Sequence, residues 1–178
     1  ILTPDSGRVV LNGIDMARDP IAAKRSFGYV PDSFDMYERL TGMDYLNFMA
    51  DIYGVDAASR KRHIEKYLSL FELEDAACQQ IRGYSRGMKQ KLGLCCSLVS
   101  SPPLILLDEP TVGVDPLSRR ELWSILKQFS GEEGVGVLVS TSYMDESAYC
   151  NRTLIMYEGR LLMDAPPADV IARAEGMC

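Results

Sequence analysis

The sequence predicts an α/β fold built on a mostly parallel sheet, and three features carry that prediction. Two apolar runs of strand length, Leu104–Leu107 and Val135–Ser140, are near-continuous hydrophobic segments of the kind a sheet covered on both faces needs. Between them Leu122, Ile125, Leu126 and Phe129 recur at i, i+3, i+4 and i+7, the spacing of one helical face. The composition suits one globular core, with 178 residues, 47% apolar and 25% charged.

The remaining elements follow in order. Arg8–Leu11 and Phe27–Val30 are short β-rich runs. Thr41 to Gln80 is mostly helical: Thr41 caps a first helix with Asp44 in a capping-box position, and Gly54 stops it. Tyr45, Met49, Ile52 and Tyr53 are its predicted apolar face. A second helix carries Ile64, Tyr67, Leu68 and Phe71, with Arg60-Lys61-Arg62 on the wet side. Pro102-Pro103 and Asp108 bound the strand Leu104–Leu107, which is predicted to be buried on both faces. A short helix near Met144–Tyr149 precedes a hairpin, Thr153–Tyr157 and Arg160–Met163 around Glu158-Gly159, and Pro166-Pro167 opens a last helix.

Charge and cysteine usage exclude several classes. The net charge is -6 (25 acidic against 19 basic residues) and no Lys/Arg block breaks it, so no nucleic-acid partner is expected. No apolar run approaches bilayer length, which leaves only peripheral membrane contact. Five cysteines (Cys78, Cys95, Cys96, Cys150, Cys178) show no CxxC spacing and His63 is the single histidine, so buried free thiols of a reducing cytosol are expected rather than a zinc site. The turn-rich start Ile1–Gly7, without an initiator Met, predicts a fragment.

The chemistry concentrates in three motifs. Leu104-Ile105-Leu106-Leu107-Asp108-Glu109-Pro110 is an apolar strand ending in two acids, at the sheet edge where open α/β folds bind ligands. Asp108 suits Mg²⁺, a hard cation that takes oxygen ligands, and Glu109 is placed to polarise an attacking water. Gly113-Val114-Asp115-Pro116 turns abruptly into a helix. Upstream, Tyr84-Ser85-Arg86-Gly87-Met88-Lys89-Gln90 opens a helix with Ser85 as natural N-cap, Gly87 allowing close approach, and first-turn amides that suit an anion. Each alone is also compatible with a plain structural role, a charged turn or a capped core helix.

Together, in this order and spacing, they resemble the ATP-binding cassette (ABC) family, from Ile1 to about Val170. Tyr84–Met88 is similar to its signature motif, Leu104–Glu109 to Walker B and Gly113–Pro116 to the D-loop. The resemblance is to bacterial exporter ATPases, and within them to the first cassette of tandem-cassette proteins. It implies a P-loop NTPase of the ABC ATPase type, truncated at its N-terminus, with a core at 1–40 and 83–178 and a helical subdomain at 41–82. It further implies ATP and Mg²⁺ as cofactors, Glu109 as catalytic base, Asp108 at the metal, and Gly113 and Asp115 in the D-loop. Ser85, Arg86, Gly87 and Met88 would face ATP held by a second ABC ATPase domain in a head-to-tail dimer. Transmembrane permease subunits would be the other partners, contacted through Phe34–Asp44, with the protein cytoplasmic and peripheral on the inner face of the cell membrane.

Three departures qualify the resemblance. The phosphate-cradling GxxxxGK[ST] loop occurs nowhere in the sequence; Ile1–Gly7 resembles the family segment that lies just beyond that loop's helix. Asp32 stands at the Q-loop position, where Gln is expected, and Ser142 at the H-loop (switch) position, where His is expected. Asp cannot donate a hydrogen bond and adds negative charge; Ser is shorter and cannot carry the imidazole's charge. The expectation is an exporter-powering ATPase subunit or half-domain with a degenerate site of its own and a usable signature face, inactive as this fragment alone. A non-hydrolysing regulatory half and a soluble cassette acting on ribosomes or DNA are the alternatives.

Overall fold

A computed structural model describes residues 4–33, 35–132 and 134–175. The readings placed on Ile1–Thr3, Phe34 and Cys178 lie outside the described residues. The chain divides into two compact units, Ile1–Ser140 and Thr141–Cys178.

The first unit opens on a hairpin of β1 (Val10–Leu11), which lies within the predicted run Arg8–Leu11, and β2 (Ile14–Asp15), which is not among the predicted elements. Its turn, Asn12-Gly13, has positive φ at both residues, and Asn-Gly is the dipeptide such turns favour. Helix α1 (Pro20–Arg25) is likewise not among the predicted elements, although Asp19 accepts from the Ala22 amide as its N-cap and Pro20 opens it. The sheet proper contains β3 (Gly28–Val30), β4 (Leu104–Asp108) and β5 (Gly136–Ser140), in that order and all parallel, as the alternation of strands and helices predicts.

Burial in this sheet is one-sided. Val30, Ile105 and Leu107 are buried, whereas Leu104 and Leu106 are half-buried and Tyr29 and Leu138 are 50% and 55% exposed. The prediction that Leu104–Leu107 is covered on both faces is therefore corrected: among the described residues of this unit, one face carries the core. The uninterrupted apolar composition of β4 reports what the strand can bury, not what covers it here. Against β3 lies α4 (Arg86–Leu98) and against β5 lies α5 (Pro116–Glu132). A Cβ on Gly28 would collide with the Ser97 carbonyl oxygen, so glycine is what lets β3 approach α4 so closely.

Helices α2 (Gly42–Tyr53), α3 (Ala57–Leu70) and α4 pack on one another. Thr41 caps α2 by accepting from the Asp44 amide at 3.1 Å, and its hydroxyl donates to the Asp44 carboxylate at 2.7 Å. Gly54 ends α2 in the left-handed region at φ 68°. The buried face of α2 is Gly42, Leu46 and Ala50, not the predicted set: Ile52 is 55% exposed, and Tyr45, Met49 and Tyr53 are half-buried. Small residues bring helices close without a hydrophobic signal in the sequence, and the larger side chains turn outward. In α3 the predicted set holds, with Ile64, Tyr67, Leu68 and the following Phe71 all buried; Lys61 and Arg62 are exposed, while Arg60 binds Asp51. In α5 Trp123 joins Leu122, Leu126 and Phe129 in the core.

Of the four described cysteines, all free, Cys95 and Cys96 are buried in α4, Cys150 is half-buried and Cys78 is exposed, so the expectation of buried thiols holds for two. Burial pushes both α4 thiols well above the ordinary thiol range. Among the described residues no cluster of metal-ligating side chains of three or more occurs, and no helix is long and apolar enough to cross a membrane.

In the second unit a 3₁₀ turn at Met144–Tyr149 leads to the hairpin of β6 (Thr153–Tyr157) and β7 (Arg160–Ala165). Glu158 and Gly159 both take positive φ at its turn, and Arg152 pairs with Asp164 across the strands. Helix α6 (Pro167–Glu175) lies against β7 and the 3₁₀ turn.

Candidate functional site

The carboxyl edge of β4 gathers the first group of predicted residues. Asp108 pairs with Ser140 across the parallel ladder, and the Ser140 hydroxyl donates to one Asp108 carboxylate oxygen. Tyr29, two strands away from Ser140, places its hydroxyl 3.5 Å from the other. Burial first, and then the Asp108 carboxylate with a smaller contribution from Asp32, holds the Tyr29 phenol above its ordinary pKa. Asp32, predicted for the Q-loop position, is exposed, two residues past the end of β3. This edge offers oxygen donors only, which fits a hard cation such as Mg²⁺. Tyr29 and Ser140 carry no motif signal in the sequence; the β3–β4–β5 register is what brings them to Asp108.

Glu109 follows immediately in a left-handed conformation, φ 45°. Its amide donates to the Ser140 carbonyl at 3.0 Å, extending the ladder one residue past the strand while the backbone turns away. A non-glycine residue in this region costs on the order of 1–3 kcal/mol, and such strain persists only where surrounding structure imposes it. Here buried Pro110 and Thr111 follow it, and the Val112 amide closes a turn onto the Glu109 carbonyl at 3.2 Å. The outcome is a half-buried carboxylate held at the sheet edge by an anchored loop.

The second group lies at the start of α4. Ser85 accepts from the Met88 amide at 3.2 Å, the predicted N-cap. Tyr84 is buried, and its hydroxyl donates to the Ala76 carbonyl at 2.7 Å. A side chain on Gly42 would collide with that hydroxyl, so Gly42 at the head of α2 makes room for the phenol. Lys89 pairs with Glu38, and the segment 38–43 bonds along 77–82, as in Ile81 N–H to Leu40 at 3.0 Å and Met43 N–H to Ala77 at 2.8 Å. The turn at Ser85–Met88 is thereby fixed to the α2–α3 region behind it. Ser85 and Arg86 are exposed, and Gly87 and Met88 half-exposed.

Gly113 and Asp115, predicted for the D-loop, join this second group. Asp115 accepts from the Leu117 and Ser118 amides at 3.1 and 3.0 Å, and these bonds hold its carboxyl below the usual carboxylate range. Gly113 takes φ 71°, and the Arg86 guanidinium fills the space where its side chain would stand. Lys91 and Glu121, 3.3 Å apart, join α4 to α5 one turn further in. Ser142, in the second unit, is exposed; beside it the Tyr143 amide and the buried Glu146 both engage Thr141, whose hydroxyl donates to Glu146 at 2.7 Å.

Comparison with known proteins agrees with this geometry. A family model described as ABC transporter matches residues 1–112. The probable multidrug ABC transporter ATP-binding protein YbhF of Escherichia coli is 44% identical over 94% of this chain, which spans 29% of that protein's length. A solved ATP-binding subunit of an ABC transporter superposes with TM-score 0.84 at 31% identity, over 97% of this chain and 72% of its own. The dimeric cassette MJ0796 bound to ADP and Pi, 21% identical, shares the fold with TM-score 0.81 over 92% of this chain and 75% of its own. The architecture is that of P-loop NTPases of the ABC ATPase type. This chain belongs to the ABC transporter family of ATP-binding proteins.

Proposed function

We propose that this chain is part of an ATP-binding subunit or half-domain that powers an ABC exporter, with its more intact working surface at Ser85–Met88 and Gly113–Asp115. The observation that carries the reading is the Asp108–Glu109 pair at the carboxyl edge of β4, with Glu109 held in a strained left-handed turn. In this reading Asp108 would hold Mg²⁺ through oxygen, with Ser140 orienting the carboxylate, and Glu109 would accept a proton from the attacking water. Bound Mg²⁺ supplies charge neutralisation at the phosphates. Ser85, Gly87 and Met88 present the start of α4 to nucleotide held by a second cassette, with Arg86 beside them. The dimeric state named for MJ0796 supports that arrangement.

Residues 41–82 form a helical subdomain in this proposal, with 1–40 and 83–178 as core. Tyr37, Tyr45 and Phe48 cluster with ring centroids 5.7–6.3 Å apart, and Tyr37 is 62% exposed. That aromatic surface, next to the segment 38–43, suits a membrane-embedded permease at the inner face of the membrane. The naming of YbhF as a probable multidrug transporter supports an exporter.

Asp32, which cannot donate a hydrogen bond, and Ser142, which is shorter than His and cannot carry the imidazole's charge, favour a second reading: a cassette half that binds nucleotide without splitting it. Glu109→Gln in the full-length protein separates the two. We expect ATP binding to be retained and turnover to fall by about 100-fold or more. Unchanged turnover would show that this carboxylate never served as the base.

A further inference from the structure

Arg86 stands at an exposed position at the head of α4, yet its guanidinium does not point away from the protein. A Cβ built on Gly113 would lie 2.7 Å from Arg86 Cζ, 2.7 Å from Nη1 and 3.1 Å from Nε. The central carbon is as near as the closest nitrogen, so the guanidinium turns its flat face, not its edge, to the Gly113 backbone. Among the described residues nothing hydrogen-bonds or ion-pairs with Arg86, which makes this stacking its one defined engagement. Gly113 itself sits at φ 71°, in a turn that is closed by Val112 N–H to Glu109 at 3.2 Å and Val114 N–H to Thr111 at 3.1 Å. Those two bonds lie within the turn. The bridge from α4 to α5, Lys91–Glu121, reaches α5 beyond Asp115, whereas Arg86 meets the turn itself at Gly113.

We infer that Arg86 is a positioning residue that latches the Gly113 turn to the start of α4, so that the signature and D-loop segments move as one body. Gly113 is the seat of the latch, required both for its positive φ and for the space the guanidinium fills. A guanidinium suits the task because it is planar and weakly hydrated, and can lie flat on a peptide; a lysine ammonium has no face to offer. The functional consequence rests on the proposed function, in which these two segments together meet the partner cassette. Because the latch runs from one segment to the other, a nucleotide engaged at Ser85–Met88 also fixes where Glu109, at the base of the same turn, is held.

The test has a structural arm and a kinetic arm, both on the full-length protein. Arg86→Ala should speed amide exchange at Val112 and Val114 by about tenfold and leave the buried stretch Leu92–Leu98 unchanged. Arg86→Lys should behave like Arg86→Ala, and Gly113→Ala should loosen the turn more in the wild-type background than in the Arg86→Ala one. In steady-state hydrolysis Arg86→Ala should lower kcat by about tenfold with KM for ATP within about twofold. Unchanged exchange at the turn, or full rescue by lysine, overturns the latch. A raised KM at constant kcat overturns it too, because Arg86 would then serve the nucleotide instead. Exchange decides the latch even in a protein with no turnover; absent turnover in the wild type sinks the proposed function and leaves the latch standing.

Discussion

The start of α4 and the loop ends at Asp32 and Ser142 are built to different standards. At α4 each residue is fixed by another: Tyr84 by Ala76 and the space above Gly42, Ser85 by Met88, Arg86 by Gly113, Lys89 by Glu38. Asp32 and Ser142 are exposed side chains on loops, and each differs from the residue that the family resemblance leads one to expect there. Between these extremes lies the β4 edge, where Asp108 is well held but Glu109 sits under strain. A turn that serves a ligand has to be held in place, and the start of α4 is held through Tyr84, Ser85 and Lys89.

Substitutions can break or sharpen this contrast, and the largest effect belongs to Glu109→Gln, with its loss of turnover at retained ATP binding. Next, Gly42→Ala should expel the Tyr84 phenol from its bond to Ala76 and destabilise the fold by about 2–3 kcal/mol, seen as a lowered denaturation midpoint. A cost near zero would mean that the signature turn is not anchored through Tyr84. Restoring the family residue at the weak positions should act in the opposite direction. Asp32→Gln with Ser142→His should raise turnover in the full-length protein by about tenfold, whereas no gain would show that these departures do not limit the site.

A smaller effect is expected at the α5 cap. Asp115→Ala should lower the chemical-denaturation midpoint, because the Leu117 and Ser118 amides lose their acceptor. Hydrogen bonds depress the folded-state pKa of Asp115, so its contribution is present above the unfolded carboxylate value and is lost as pH falls through the folded one. The Ala variant should therefore lose less stability than the wild type on acidification in that range; equal losses would contradict the capping role. Least costly to measure is thiol labelling. Cys78 should react first at neutral pH while Cys95 and Cys96 stay protected, because burial keeps both protonated.

Much of the fold is legible in the sequence because its signals are local. The Ser85 and Thr41 caps, the Gly54 stop, the Glu158-Gly159 turn and the helical face of α3 each depend on residues within a turn or two, and all appear where the sequence places them. The parallel order follows from the alternation of strands and helices. The failures are of two kinds. Short elements such as β2 and α1 are signalled by Asn12-Gly13 and Asp19-Pro20 but are too brief for periodicity to mark, whereas β1 falls within the predicted run Arg8–Leu11. The burial of α2 depends on its packing against α3 and α4, which favours small Gly42 and Ala50 over the aromatic stripe. At the site, motif spacing points to Asp108, Glu109, Ser85 and Asp115. Tyr29, Ser140 and the Arg86–Gly113 contact are hidden because each joins residues from separate elements.

The claim most exposed to refutation is that the start of α4 meets nucleotide held by a second cassette. It is tested by ATP-dependent association of the full-length protein with its partner cassette, comparing wild type with Ser85→Asp in a Glu109→Gln background that halts turnover. A carboxylate at Ser85 can still cap α4, but it sets a negative charge against a phosphate. Association weakened at least about tenfold, with folding and this chain's own ATP binding unchanged, is the predicted result. Undiminished association would contradict the account, because the surface at Ser85–Met88 would then have no part in the nucleotide site.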